Sequence, residues 1–241
     1  MKRVFSVLSI VFVVSFLYAT SSFAAQYPTW HGGIQAYSGN GISAKISTPA
    51  DPLALVKAGI MNGVSSWVST FWDDSQSNDY WMQAGWRYYQ DDTYPKLYWE
   101  YCKECDTQNP VYDLREVGTQ VWNSKIIYLI ERSTSDPLTW CAYYSTGTYF
   151  TLMRCVPNLH PDPLYLMVNA EVHNDARNNI NTLFEEVKYK DPTDNDWKSV
   201  SSVYAVNYGE FPYQLNLINN YDKFEVIRST TNDYFAPGVT D

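Results

Sequence analysis

Nine stretches in which apolar and polar residues alternate, parted by short polar breaks, restrict this chain to a β architecture more tightly than anything else in its sequence. They cover residues 41–47, 64–71, 81–89, 97–101, 125–132, 139–144, 149–154, 164–172 and 182–189. A first strand signal also stands near Ile34. The breaks at 73–79, 90–93, 133–137 and 191–196 are rich in Asp, Asn, Ser, Pro and Thr, residues suited to turns between antiparallel strands. Helical spacing is weak except across 52–61, where one short helix or an apolar loop is expected. This pattern predicts an all-β, antiparallel two-sheet sandwich. Residues 199–241 carry further strand signals at 203–208, 213–218 and 224–227 and no composition shift, so they are assigned to the same single domain.

The N-terminus reads as an export signal. Lys2 and Arg3 precede an apolar run over 4–17, too short to span a bilayer, and Ser22-Phe23-Ala24 supplies small residues before a cut after Ala24 or Ala25. Residues 1–24 are therefore expected to be a secretory signal peptide and 25–241 the β-sandwich domain. The mature protein is expected outside the cell or in the periplasm, free of the membrane and monomeric. The few residues between Ala25 and Ile34 leave no room for a long inhibitory propeptide. The formal charge of -9 becomes about -11 once Lys2 and Arg3 are removed. That disfavours nucleic acid and anionic lipid as partners.

An exported chain with four cysteines favours two disulfides. Of the three pairings, Cys102 with Cys105 and Cys141 with Cys155 is preferred, because each is local and the second staples a hairpin. Zinc binding wants a second close cysteine pair, which the spacing of Cys141 and Cys155 does not supply.

No HExxH helix, GxSxG elbow or glycine-rich phosphate loop occurs, so neither a metal nor a cofactor is expected. His31 and His173 have no spacing that marks them, and read as ordinary structural residues. What remains is a set of carboxylates and carboxamides on aromatic strands. Gln83 lies in mid-strand, on the face of Trp81 and Gly85 by the period of two. Glu100 stands between bulky rings on the next strand, and Glu171 ends an apolar strand.

The segments Ser66-Trp67-Val68-Ser69, Met82-Gln83-Ala84-Gly85, Trp99-Glu100-Tyr101 and Asn169-Ala170-Glu171, in that order and near that spacing, resemble the strand motifs of the eqolisin (G1) glutamic peptidases. The resemblance covers about two thirds of the mature chain. It implies a lectin-like, jelly-roll sandwich with a peptide groove, Gln83 and Glu171 as the catalytic pair around one water, and Trp67 and Glu100 as supporting groove residues. A more distant likeness to neprosin-type domains rests on Gln83-Ala84-Gly85-Trp86 and Pro95-Lys96-Leu97-Tyr98-Trp99. That family uses two glutamates, and the positions matching them here are Gln83 and the neighbourhood of Tyr143.

The reading that follows is an exported, acid-acting endopeptidase cleaving polypeptide. The alternative is a non-catalytic module that binds polysaccharide or extended peptide along a row of Trp67, Trp86 and Trp99. Register decides much of this, because a slip of one residue would turn Glu171 to the opposite face.

Overall fold

A computed structural model describes residues 29–36, 38–50, 52–53, 55, 62–73, 79–105, 107, 109–159, 162–173, 177–201, 205–210 and 212–228. The export signal, the tail after Arg228 and most of the 52–61 segment lie outside these residues. Among the described residues there are fifteen strands: β1 (Thr29–Ala36), β2 (Gly41–Ser47), β3 (Gly63–Asp73), β4 (Asp79–Tyr89), β5 (Lys96–Lys103), β6 (Val111–Thr119), β7 (Lys125–Arg132), β8 (Trp140–Ser145), β9 (Thr151–Val156), β10 (Tyr165–His173), β11 (Asn181–Lys190), β12 (Trp197–Ser199), β13 (Ala205–Gly209), β14 (Tyr213–Asn219) and β15 (Lys223–Arg228). All nine alternating stretches are strands, with ends moved by a few residues at most.

Two antiparallel sheets result. The first has seven strands in the order β13-β1-β10-β3-β4-β5-β6, and the second eight, in the order β14-β15-β11-β2-β7-β8-β9 with β12 beside β11. The late strands do not form a unit of their own: β13 pairs with β1 in the first sheet, and the β14–β15 hairpin joins β11 in the second. Nearly every strand that sequence alternation located faces the core with its apolar set, which is why the pattern was readable. Sequence alternation did not bring out β6, a charged edge strand with little of its surface buried, or β12, which is three residues long.

The core lies between the sheets. Ile42, Ala44 and Ile46 of β2 and Ile126, Tyr128 and Ile130 of β7 face Val64, Val68 and Trp72 of β3 and Met82, Ala84 and Trp86 of β4. Trp72 meets Trp140 edge to face with centroids 5.1 Å apart, and Phe184 stacks on Phe224 at 4.8 Å. These are the geometries that add to simple area burial in aromatic pairs.

Both preferred disulfides are formed, Cys102–Cys105 and Cys141–Cys155. Cys141 and Cys155 are cross-strand neighbours in the β8–β9 pair, so the bridge pins edge strand β9 to the sheet. Replacing both by Ser is expected to lower unfolding free energy by about 3 kcal/mol, the chain-entropy value for a loop of this length. Denaturant unfolding of the variant beside the native protein checks it. An unchanged midpoint would show that β9 contributes nothing to the cooperative unit.

Candidate active site

Strand parity decides which side chains share the outward face of the first sheet. In β10, Leu166, Val168, Ala170 and Val172 enter the core, so Asn169, Glu171 and His173 face outward. In β3 the inward set is Val64, Val68 and Trp72, which leaves Ser65, Trp67 and Ser69 outside. β4 presents Gln83, Gly85 and Arg87, and β5 presents Tyr98 and Glu100. Glu171 and Gln83 therefore lie on one face.

Cross-strand pairing orders this face into three rows. Glu171, Ser65 and Arg87 form the first; Asn169, Trp67, Gly85 and Tyr98 the second; Met167, Ser69, Gln83 and Glu100 the third. Gly85 is required in the middle row, because a Cβ there would come within 2.0 Å of the Ser66 carbonyl oxygen. Although the face is outward, its polar groups are buried: Ser65, Ser69, Gln83, Glu100 and Glu171 are each at most 9% exposed. Buried polar side chains in such number need partners, and these five have them, whereas the fully buried Asn169 of the middle row has none for either end of its carboxamide among the described residues.

Glu171 is gripped at both oxygens. Trp67 Nε1 donates to Oε2 at 2.9 Å and the Ser65 hydroxyl donates to the same oxygen at 3.4 Å. Oε1 lies 3.2 Å from His31 Nε2 and 3.7 Å from His173 Nδ1. Burial works to raise the pKa of this carboxyl, but His173, His31 and the Trp67 hydrogen bond outweigh it and hold the value down at about 2.

The two imidazoles play different electrostatic parts. His31 is 3.3 Å from Glu210 through Nδ1, and its backbone N–H donates to the same carboxylate at 2.8 Å. Burial alone would disfavour its proton, yet Glu171 and Glu210 raise its pKa above the ordinary histidine value. For His173, burial lowers the pKa, Glu171 offsets this only in part, and the charges of His31 and Arg87 add to the lowering. Of the two, His31 holds the proton more firmly.

Gln83 is built in from the other side. Its Nε2 donates to the Tyr98 hydroxyl at 3.1 Å and to Glu100 Oε1, while the Tyr112 hydroxyl donates to Glu100 Oε2 at 2.7 Å. Two hydrogen-bonded sets result: Trp67 and Ser65 hold Glu171, while the second set runs Tyr98, Gln83, Glu100, Tyr112. Beside them opens a pocket of about 150 Å³, walled by Ser65, Trp81, Tyr98, Glu100, Tyr112 and His173 among others. Arg87 also lines it, paired with Glu116 at 2.9 Å and lying over the Tyr89 and Tyr98 rings.

Two expected groove residues are not on this face. Trp86 and Trp99 point into the core, at 0% and 3% exposure, and Trp86 Nε1 donates to the Ser47 carbonyl of the opposite sheet at 3.1 Å. The reason is parity: Trp86 is three residues from Gln83, and Trp99 is adjacent to Glu100, so neither can share their face. Trp67 is on the face, hydrogen-bonded to Glu171.

The reading of His31 and His173 as ordinary structural residues is corrected by their contacts with Glu171. His173 stands two residues after Glu171, so the strand period already places it on that face. His31 becomes visible only once β1 is known to pair with β10, where it is the cross-strand partner of Glu171. Ser65 and Tyr98, hydrogen-bonded to Glu171 and Gln83 respectively, had no signal in the sequence beyond parity.

The fold defined by these sheets is that of an antiparallel β-sandwich shared with peptidases of known structure. Scytalido-glutamic peptidase, solved with a peptide-based transition-state analogue, is similar with a TM-score of 0.57 at 13% identity, covering 84% of this chain and 100% of that one. The same enzyme with another transition-state analogue inhibitor gives 0.56 at 14% identity, covering 83% and 98%. SCP-B, a member of the eqolisin family solved with the tripeptide Ala-Ile-His, gives 0.54 at 14%, covering 84% and 100%. At these identities the likeness is one of fold. No protein-family model and no curated protein matches the chain in sequence.

Proposed function

We propose that this chain is an exported glutamic endopeptidase in which Glu171 and Gln83 activate water against a peptide bond. The observation that carries the reading is a buried, ionised carboxylate held by Trp67 and Ser65 and a buried carboxamide held by Tyr98 and Glu100, on one face of a sandwich that shares its fold with glutamic peptidases. Glu171 accepts a proton from water as the water oxygen attacks the scissile carbonyl carbon, and returns that proton to the nitrogen as the C–N bond breaks. Trp67, His31 and His173 hold the carboxylate in place. Gln83, through its amide nitrogen turned toward the groove, is the donor that orients the water and then meets the developing oxyanion.

Carboxylates that exchange protons during turnover suit an acidic exterior, and the export signal read in residues 1–24 supports that setting. The sugar-binding alternative is weakened, since two of the three rings it needs, Trp86 and Trp99, are core residues.

The test is hydrolysis of a denatured protein by purified mature protein across pH, beside Gln83→Ala. The variant is expected to lose about 10²- to 10³-fold in kcat, the range for removing one oxyanion donor. Undiminished cleavage by Gln83→Ala would remove the carboxamide from the mechanism.

A further inference from the structure

We propose that Glu100 is the positioning residue that decides which end of the Gln83 carboxamide faces the substrate. The inference rests on the Gln83 and Glu171 reading above and concerns how that pair is made ready. As placed, both amide hydrogens of Gln83 are spent, one on the Tyr98 hydroxyl and one on Glu100 Oε1. The other carboxylate oxygen of Glu100 accepts from Tyr112. An ionised Glu100 can only accept, so it draws the amide nitrogen toward itself and away from any oxyanion.

A protonated Glu100 reverses this. Its O–H needs an acceptor, and on the Oε1 side the Gln83 amide supplies one by turning over and presenting its carbonyl oxygen, while Oε2 keeps the Tyr112 hydrogen bond. That oxygen has two lone pairs, so it can accept from Glu100 and Tyr98 together, the tyrosine hydroxyl changing from acceptor to donor. Both N–H groups of Gln83 are then released toward the groove. A single proton on Glu100 therefore frees the donors on Gln83.

The surroundings favour that proton over most of the pH range. Burial raises the Glu100 carboxyl, and the Glu171 charge adds to it. The Tyr112 hydrogen bond and the Arg87 charge oppose, and the value comes to about 8. Tyr89 and Tyr98, the other titratable groups facing it, are neutral there, their own values raised by burial and by Glu100. Glu171 low and Glu100 high is the division of two carboxyls into a base and a proton-bearing partner.

Two measurements test the proposal together: the pH profile of kcat/KM for native protein and Glu100→Gln, and the ¹⁵N resonances of the Gln83 side-chain amide across the same pH range. Native kcat/KM is expected to fall between pH 6.5 and 9.5 by roughly thirtyfold, as one deprotonation near 8 requires. In Glu100→Gln the neutral carboxamide donates to Gln83 at every pH, so the ratio between those two pH values should shrink to within about twofold, whatever the absolute rate. The Gln83 amide signal of native protein should titrate with a midpoint of about 8, and that of the variant should not. An alkaline limb unchanged in Glu100→Gln, or a Gln83 amide that does not titrate in native protein, overturns the proposal. Failure of the peptidase reading looks different: native protein cleaves nothing, or Glu171→Gln cleaves normally, and the amide titration then judges the switch alone.

Discussion

Glu171→Gln should reduce kcat/KM for a denatured protein substrate by about 10²- to 10⁴-fold, the contribution of a positioned general base. The substitution keeps the shape of the side chain and its hydrogen bonds to Trp67 and Ser65 in outline, so the loss reports the missing proton acceptor. Steady-state cleavage assays beside a circular dichroism check of folding measure it. Cleavage at the native rate would exclude Glu171 as base. In native protein the acid side of the profile should fall only as pH drops toward about 2, where the carboxyl takes up its proton. The linkage has the matching sign. A carboxyl lowered from 4.5 to about 2 contributes stability that is present in full above its ordinary value and lost as pH falls through about 2.

Trp86→Ala should lower unfolding free energy by about 3 to 5 kcal/mol, the range for emptying a buried tryptophan site. Trp86 is fully enclosed in the core cluster, and its indole N–H spans to the Ser47 carbonyl of the second sheet. The variant loses both the packed volume and that indole hydrogen bond. Chemical denaturation with an unchanged m-value is the expected record. A drop of less than about 1 kcal/mol would mean that the sheets close over the void, or that the ring is not where the parity of β4 puts it.

These two residues illustrate what was legible beforehand. The period of two told which strands exist and, read strictly, also told that Trp86 cannot accompany Gln83. The groove reading of Trp86 and Trp99 went wrong by following aromatic content in place of parity. Glu171 and Gln83 were legible through short motifs, and their common face needed only the register that alternation fixes. The partners of Glu171 were harder. Ser65 reaches it from β3, and His31 reaches it from a strand 140 residues away in sequence, so no local pattern could announce either. Glu100 was legible as a carboxylate among rings. Its elevated pKa was not, because it arises from burial and the Glu171 charge against the opposing pull of Tyr112 and Arg87, groups that arrive from three other strands.

One of those strands has an unusual position for its task. β6 is the last strand of the first sheet, paired on one side only and exposed over most of its length. Edge strands open locally at lower free energy than the strands they flank. Yet β6 supplies Tyr112, whose hydroxyl holds Glu100 from the side opposite Gln83. Opening of this edge alone would remove a hydrogen bond from Glu100 while the core beneath it stayed packed.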